Sequence, residues 1–200
     1  MGQIQNLFPK FYYHGHVERH DELKQVLLSE STSAKLTQPR EWNCSVTSSF
    51  ETDTNREDFS WDLFFECIKD NVLEMHNQLH GQMFSEVVLS EAWLNVYSRG
   101  DSQEVHTHVG GADSTFSCAY FVQYDKDKDA QFLFYDPNQE KHLGNYSKHY
   151  PVENTWFPDV IEGDIIIFPA YLHHQVEPQR SDTKRITVSA NFGIKKRLVM

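Results

Sequence analysis

His106 and His108 stand one residue apart in "EVHTHVGGADSTFSCAYF" (104–121), and an adjacent pair, His173 and His174, follows in "EGDIIIFPAYLHHQVEP" (162–178). On an extended strand residues i and i+2 project from one face, so the first two imidazoles aim at one point. Side chains alternate within the adjacent pair, so only one of its rings shares that direction. Imidazoles converging from two strands have the chemistry of a metal centre. The stretch "KRITVSANF" (184–192) adds a polar lining. Arg185, Thr187, Ser189 and Asn191 fall on one face, and Ile186, Val188, Ala190 and Phe192 on the other. An arginine enclosed in a cavity needs an anionic partner, and its planar fork suits a carboxylate. Trp93, Asn95 and Tyr97 share one face of "WLNVY", and Tyr120 follows on the next strand as a further candidate for the same lining.

The elements that would hold these residues divide the chain in two. Residues 17–30 have helix-forming composition with a stripe through Leu23, Val26 and Leu27. Residues 31–58 are rich in Ser, Thr, Asn and Asp and read as loop, with a short strand around "WNCSVTSSF". Trp61, Phe64, Phe65, Ile68, Val72, Met75 and Leu79 then recur at steps of three and four, predicting a long amphipathic helix that ends at Gly81. After residue 84 the pattern changes to short aromatic and β-branched runs: "EAWLNVYS", "FSCAYFVQY", "QFLFY", "DIIIF" and "KRITVSANF". No repeat or low-complexity linker separates the halves. The expectation is one domain over residues 1–200, with a helical layer at about 15–81 and a β core at about 84–193. Its fold class is mostly β with α, a β-sandwich or barrel backed by helices.

Composition narrows the function. Hydrophobic content of 39% and aromatic content of 14% are those of a globular chain. A formal net charge of −11 argues against nucleic acid as partner, because phosphate neutralisation needs clustered Lys and Arg. The one basic cluster, Lys195, Lys196 and Arg197, reads as a solvated tail. No apolar stretch approaches the roughly 18–20 residues that cross a bilayer, so no membrane partner is expected. The N-terminal "MGQIQNLFPKFYY" lacks the basic and apolar regions of a secretory signal, and Asn6 stands where a myristoylation site carries Ser or Thr. Cys44, Cys67 and Cys118 are widely spaced with no CxxC and read as buried free thiols. The expected location is the cytoplasm.

The order H-x-H, S-x-x-Y, F-x-x-D-P, G-D-x-x-x-F-P-x-x-x-x-H-x-V-x-P and R-x-T-x-S-x-N, over about residues 91–192, resembles the iron- and 2-oxoglutarate-dependent dioxygenases. In particular it is similar to their small members in phage and marine bacterial genomes, which would place the enzyme in a host cytoplasm. The resemblance implies a double-stranded β-helix, a distorted jelly roll. It makes His174, in H-x-V, the distal ligand of Fe(II). It makes Arg185 the anchor for the far carboxylate of 2-oxoglutarate, with Thr187 as partner and Tyr97 and Asn95 nearby. It also implies that O2 and 2-oxoglutarate are consumed, with release of succinate and CO2, to oxidise a C–H bond. Hydroxylation is the default outcome, on a small molecule or a prolyl or other peptidyl side chain.

The first ligand pair departs from the family's H-x-D or H-x-E, which completes a two-His-one-carboxylate triad. Either His108 replaces the carboxylate, or His108 is the first histidine with Gly110 in the carboxylate slot, or a remote acid such as Asp113 or Asp136 supplies the oxygen. Both histidines at the metal is the favoured version. Asp136, before Pro137, reads as a turn residue. Two rival classes remain beside the dioxygenase: a cupin-like or zinc enzyme with three histidines and no 2-oxoglutarate, and a non-catalytic β-helix binding module. Arg185 separates the first from the dioxygenase, and metal content separates the second.

Overall fold

The computed structural model describes residue 3 and residues 10–79, 85–110, 114–138 and 140–196. The elements are β1 (Tyr13–His16), α1 (His20–Ser33), β2 (Thr47–Ser48), α2 (Asn55–Asp58), α3 (Trp61–Gln78), β3 (Ser85–Tyr97), β4 (Gln103–His106), β5 (Phe116–Gln123), β6 (Phe132–Tyr135), α4 (Glu140–Leu143), β7 (Thr155–Trp156), β8 (Asp164–Pro169), β9 (His173–Val176) and β10 (Arg185–Lys196). They form a six-stranded sheet in the order β1-β8-β5-β10-β3-β2 and a four-stranded sheet in the order β4-β9-β6-β7. Neighbouring strands pair antiparallel. Two antiparallel sheets with crossing connections and helices on one outer face make the double-stranded β-helix that the resemblance implies.

The strands β5 and β8 of the large sheet read as nearly unbroken apolar runs because both of their faces are covered. Along β8, Ile165 and Ile167 pack toward the helices while Ile166 and Phe168 pack toward the small sheet. Along β5 the same alternation divides Cys118, Tyr120 and Val122 from Ala119 and Phe121. The helix-side core receives Leu23 and Leu27 from α1 and Phe64, Ile68, Val72 and Met75 from α3, at the expected helical spacing. Each such side chain, once fully buried, contributes about 1.5–3 kcal/mol relative to exposure. The inter-sheet core joins Tyr97, Phe121, Ile166 and Phe168 of the large sheet to Phe132 and Val176 of the small one.

Several expectations shift. Cys67 joins the buried stripe of α3, whereas Leu79 lies beyond the helix end and is exposed; Gly81 lies outside the described residues. Tyr120 points away from the inter-sheet space, where its hydroxyl meets His20 Nδ1 at 2.7 Å, so it lines no part of the polar face of β10. Lys195 and Lys196 close strand β10 opposite Glu86 and Ser85 and are not a free tail; Arg197 lies outside the described residues. Cys67 and Cys118 are buried free thiols as expected, and Cys44 is half-buried. No helix among the described residues is long and apolar enough to cross a membrane.

Candidate metal centre

Strand β4 carries an irregularity that decides which of its side chains face inward. Gln103 pairs with Val176 and His106 with His174, so three steps on β4 oppose two on β9. An extra residue of this kind re-aims the side chains on either side of it. Gln103 and His106, an odd number of residues apart, therefore both line the inter-sheet cavity. His108 follows just beyond the strand, fixed by its backbone N–H donating to the Ala170 carbonyl at 2.9 Å. His174 faces the same space from β9, while its neighbour His173 pairs with Tyr135 and borders a different cavity of about 450 Å³.

One ring nitrogen from each of His106, His108 and His174 lies within 4.8 Å of the others, and no other such group of three or more His, Cys, Asp or Glu is found among the described residues. His106 Nδ1 meets the Glu104 carbonyl at 2.8 Å, and His174 Nδ1 meets the Leu172 carbonyl at 2.9 Å. A carbonyl only accepts, so each Nδ1 carries the proton and each Nε2 keeps its lone pair for the cavity, the arrangement that orients metal-binding imidazoles. The Nε2 atoms of His108 and His174 are 3.2 Å apart. Two nitrogens each about 2.1 Å from one shared ion stand about 3.0–3.4 Å apart at angles between square and tetrahedral, so the separation suits a common metal. Phe132 stacks on His174 at 5.4 Å and Phe168 meets it edge-on at 4.8 Å, which holds the ring's orientation.

Electrostatics keeps the three rings neutral. Burial pushes His108 down to about 3, with His106 adding to the effect. Burial also lowers His106 and holds His174 well below its ordinary value, where the two other histidines add to it. A neutral imidazole is the form that coordinates a cation. Gly110, at φ +118°, offers no side-chain ligand, Asp113 lies outside the described residues, and the Asp136 carboxylate is taken by Lys10 and Lys141 at 2.9 and 2.8 Å. Among the described residues, the arrangement at the cluster is that of three histidines.

The other end of the cavity holds Arg185, 1% exposed. Its guanidinium carbon sits 4.8 Å over the Tyr97 ring and 5.5 Å from that of Phe121. Burial lowers its pKa, and the nearby Tyr97 offsets this in part. No carboxylate among the described residues forms an ion pair with it, and its Nε and Nη1 have no hydrogen-bond partner. A buried, unpaired cation costs several kcal/mol and calls for an arriving anion. Thr187 and Ser189 continue the same lining face of β10. Tyr97 lines it from β3, its hydroxyl donating to Gln103 Oε1 at 2.9 Å. Asn95 stands one step behind, donating from Nδ2 to Ser189 Oγ at 3.1 Å. Gln103, Phe132 and Phe168 are among the lining residues that sequence reasoning did not single out, since periodicity says nothing of which bulge or facing sheet meets a site.

Comparison with known proteins agrees with this geometry. The sequence matches a family described as 2OG-Fe(II) oxygenase over residues 91–191, half of the chain. No curated protein matches it in sequence. A Pseudomonas putida prolyl-4-hydroxylase structure is similar with TM-score 0.61 at 12% identity, covering 94% of each chain. A Trichoplax adhaerens prolyl hydroxylase, solved with a hypoxia inducible factor peptide fragment, gives 0.63 at 11% identity, covering 91% of this chain and 83% of that one. HygX from Streptomyces hygroscopicus, solved with nickel, 2-oxoglutarate and hygromycin B, gives 0.62 at 9% identity, covering 92% and 83%. At these identities the structures speak for the fold, and the family match carries the assignment: the chain belongs to the 2OG-Fe(II) oxygenases, enzymes that work with Fe(II), 2-oxoglutarate and O2.

Proposed function

We propose that the chain hydroxylates a C–H bond of a peptidyl or small-molecule substrate, with His106, His108 and His174 holding iron and Arg185 holding the far carboxylate of 2-oxoglutarate. The observation that carries this reading is the buried guanidinium with two unpartnered nitrogens in the same cavity as three convergent imidazoles. When bound, iron would let O2 oxidise both partners, 2-oxoglutarate leaving as succinate and CO2 and the substrate carbon gaining a hydroxyl. The chain's own part is placement. Arg185 neutralises and orients the dicarboxylate, and the Tyr97 and Phe121 rings beside it keep water from the pair. Thr187 offers its hydroxyl on the same face, and Asn95 acts through Ser189. The cavity has a volume of about 20 Å³, the space of about one water, so lining side chains must yield when the co-substrate enters.

The choice of substrate classes rests on similar structures, one solved with a peptide and one with hygromycin B. The reading treats residues 1–200 as one functional domain acting in the cytoplasm, supported by helices and sheets sharing one core and by three free thiols. Anaerobic titration with Fe(II) and then 2-oxoglutarate tests it. A weak visible charge-transfer band should appear only with both, and succinate should form once O2 is admitted. Metal binding with no response to 2-oxoglutarate would move the chain to a three-histidine chemistry that needs no Arg185.

A further inference from the structure

We propose that Trp93 and Ser189 are the docking point for the primary substrate, which presents to them a neutral oxygen, the carbonyl of an amide or ketone. The proposal rests on the dioxygenase reading and adds the substrate's chemistry to it.

Trp93 is 3% exposed and lines the cavity, yet its indole Nε1–H is buried with no acceptor among the described residues. Leaving such a donor unmet costs about 1–3 kcal/mol, so a fold that keeps one beside a binding site keeps it for something that arrives. The ring cannot readily turn to find water. Phe50 packs against it at 5.1 Å and Trp42 at 6.5 Å, and the His108 ring lies 5.7 Å away on another side. A phenylalanine would fill this aromatic nest equally well; what the indole adds is the N–H.

Ser189 stands directly across from Trp93 in the β3–β10 pairing and lines the same cavity. Side chains of directly opposed residues stand about 4.5–5.5 Å apart at Cβ, close enough to share one acceptor. Its Oγ accepts from Asn95 Nδ2 at 3.1 Å, which leaves the hydroxyl proton to be donated.

The position of this donor pair assigns its ligand. Arg185 pairs with Tyr97, four residues from Trp93 along β3, about 13 Å of strand. The inward residues of the facing segment run in the same order: Gln103 against the Tyr97 hydroxyl, then His106, then His108 against Trp93. A co-substrate anchored at Arg185 therefore reaches His106 first, and Trp93 and Ser189 lie level with His108 at the far end. No cation lines that end of the cavity among the described residues. Two neutral donors without a positive charge favour a carbonyl over a carboxylate, because a buried anion would go unpaired. The C–H bond to be oxidised then lies within a few bonds of a carbonyl, as in a peptide or an acylated small molecule.

The test uses the full chain labelled with nitrogen-15 and loaded with Zn(II), a diamagnetic stand-in for iron, and 2-oxoglutarate. The Trp93 indole resonance is identified by its loss in Trp93→Phe. Acetamide, the probe, should move that resonance downfield saturably, whereas acetate and 2-oxoglutarate alone should not. Ser189→Ala should weaken acetamide binding roughly three- to tenfold, the range for one neutral hydrogen bond. Trp93→Phe should bind 2-oxoglutarate as the parent does. No saturable response to acetamide, an equal response to acetate, or a shift already complete on adding 2-oxoglutarate would each overturn the proposal. If 2-oxoglutarate leaves the Arg185 Nε–H resonance unmoved, the dioxygenase reading itself fails and takes this inference with it.

Discussion

If His108 fills the slot where the resemblance implies a carboxylate, two substitutions measure what that means. With all three imidazoles as ligands, His106→Ala should lose most of its iron. His108→Asp should keep both iron and 2-oxoglutarate decarboxylation, because a carboxylate at that position restores a facial triad. Iron stoichiometry and succinate yield in the two variants decide the matter, and a silent His106→Ala would leave His108 as the first ligand. The adjacent pair gives a second contrast. His174→Ala should abolish metal binding and His173→Ala should spare it, since His173 borders the separate cavity with Tyr12 and Trp156. For Arg185→Leu the expectation is retained iron and a loss of about 2 kcal/mol or more in 2-oxoglutarate binding, roughly thirtyfold in Kd by anaerobic titration. The ligand-free Arg185→Leu protein should melt no lower than the parent, because the substitution removes a buried charge that no carboxylate among the described residues pairs, with Nε and Nη1 unmet.

Among the elements, β4 matters out of proportion to its four residues. Its irregular pairing between Gln103 and His106 places the glutamine that meets Tyr97 and the histidine that meets His174 on one side. Deleting Val105, which is exposed, would restore regular alternation and turn His106 or Gln103 out of the cavity. The expected result is a folded chain by circular dichroism whose iron content falls to a small fraction of the parent's. Full iron occupancy in the deletion variant would show that the irregularity does not aim the histidine. The long pair β3 and β10 supplies the opposite wall, with Arg185, Thr187 and Ser189 set against Tyr97, Asn95 and Trp93 in strict register. Their alternate residues fill the helix-side core, so one pair of strands both anchors the helices and lines the site.

For the molecule as a whole, ligands that bind only the folded state should raise its stability by mass action. A metal at a hundred times its apparent Kd adds about 2.7 kcal/mol, and 2-oxoglutarate at a hundred times its own adds about as much again, each raising Tm in a chain of 200 residues by roughly 5–10 °C. The Arg185→Leu chain should show the metal's share of that rise and only about a third or less of the co-substrate's. A chelator should reverse the rise in the parent. Equal thermal shifts with 2-oxoglutarate in both proteins would place the co-substrate's anchor elsewhere than at Arg185.

The sequence by itself determined the layers and most of the site. Strict alternation in "KRITVSANF" and "WLNVY" assigned the polar and apolar faces of β10 and β3, and helical spacing assigned the buried stripe of α3, because these periods follow from backbone geometry alone. The H-x-H spacing named His106 and His108 as candidates, the resemblance chose His174 over His173, and the polar face of "KRITVSANF" named Arg185. Tertiary structure decided what local period cannot carry. Tyr120 shares a strand with site neighbours yet turns to His20, because parity along β5 is set by its pairing with β10 and β8. Gln103 joins the site through an irregularity that only pairing with β9 reveals. The unpartnered nitrogens of Arg185 and Trp93 exist only once every surrounding group has taken its place. Whether a buried donor is satisfied depends on neighbours far away in the chain, which no local period in the sequence carries.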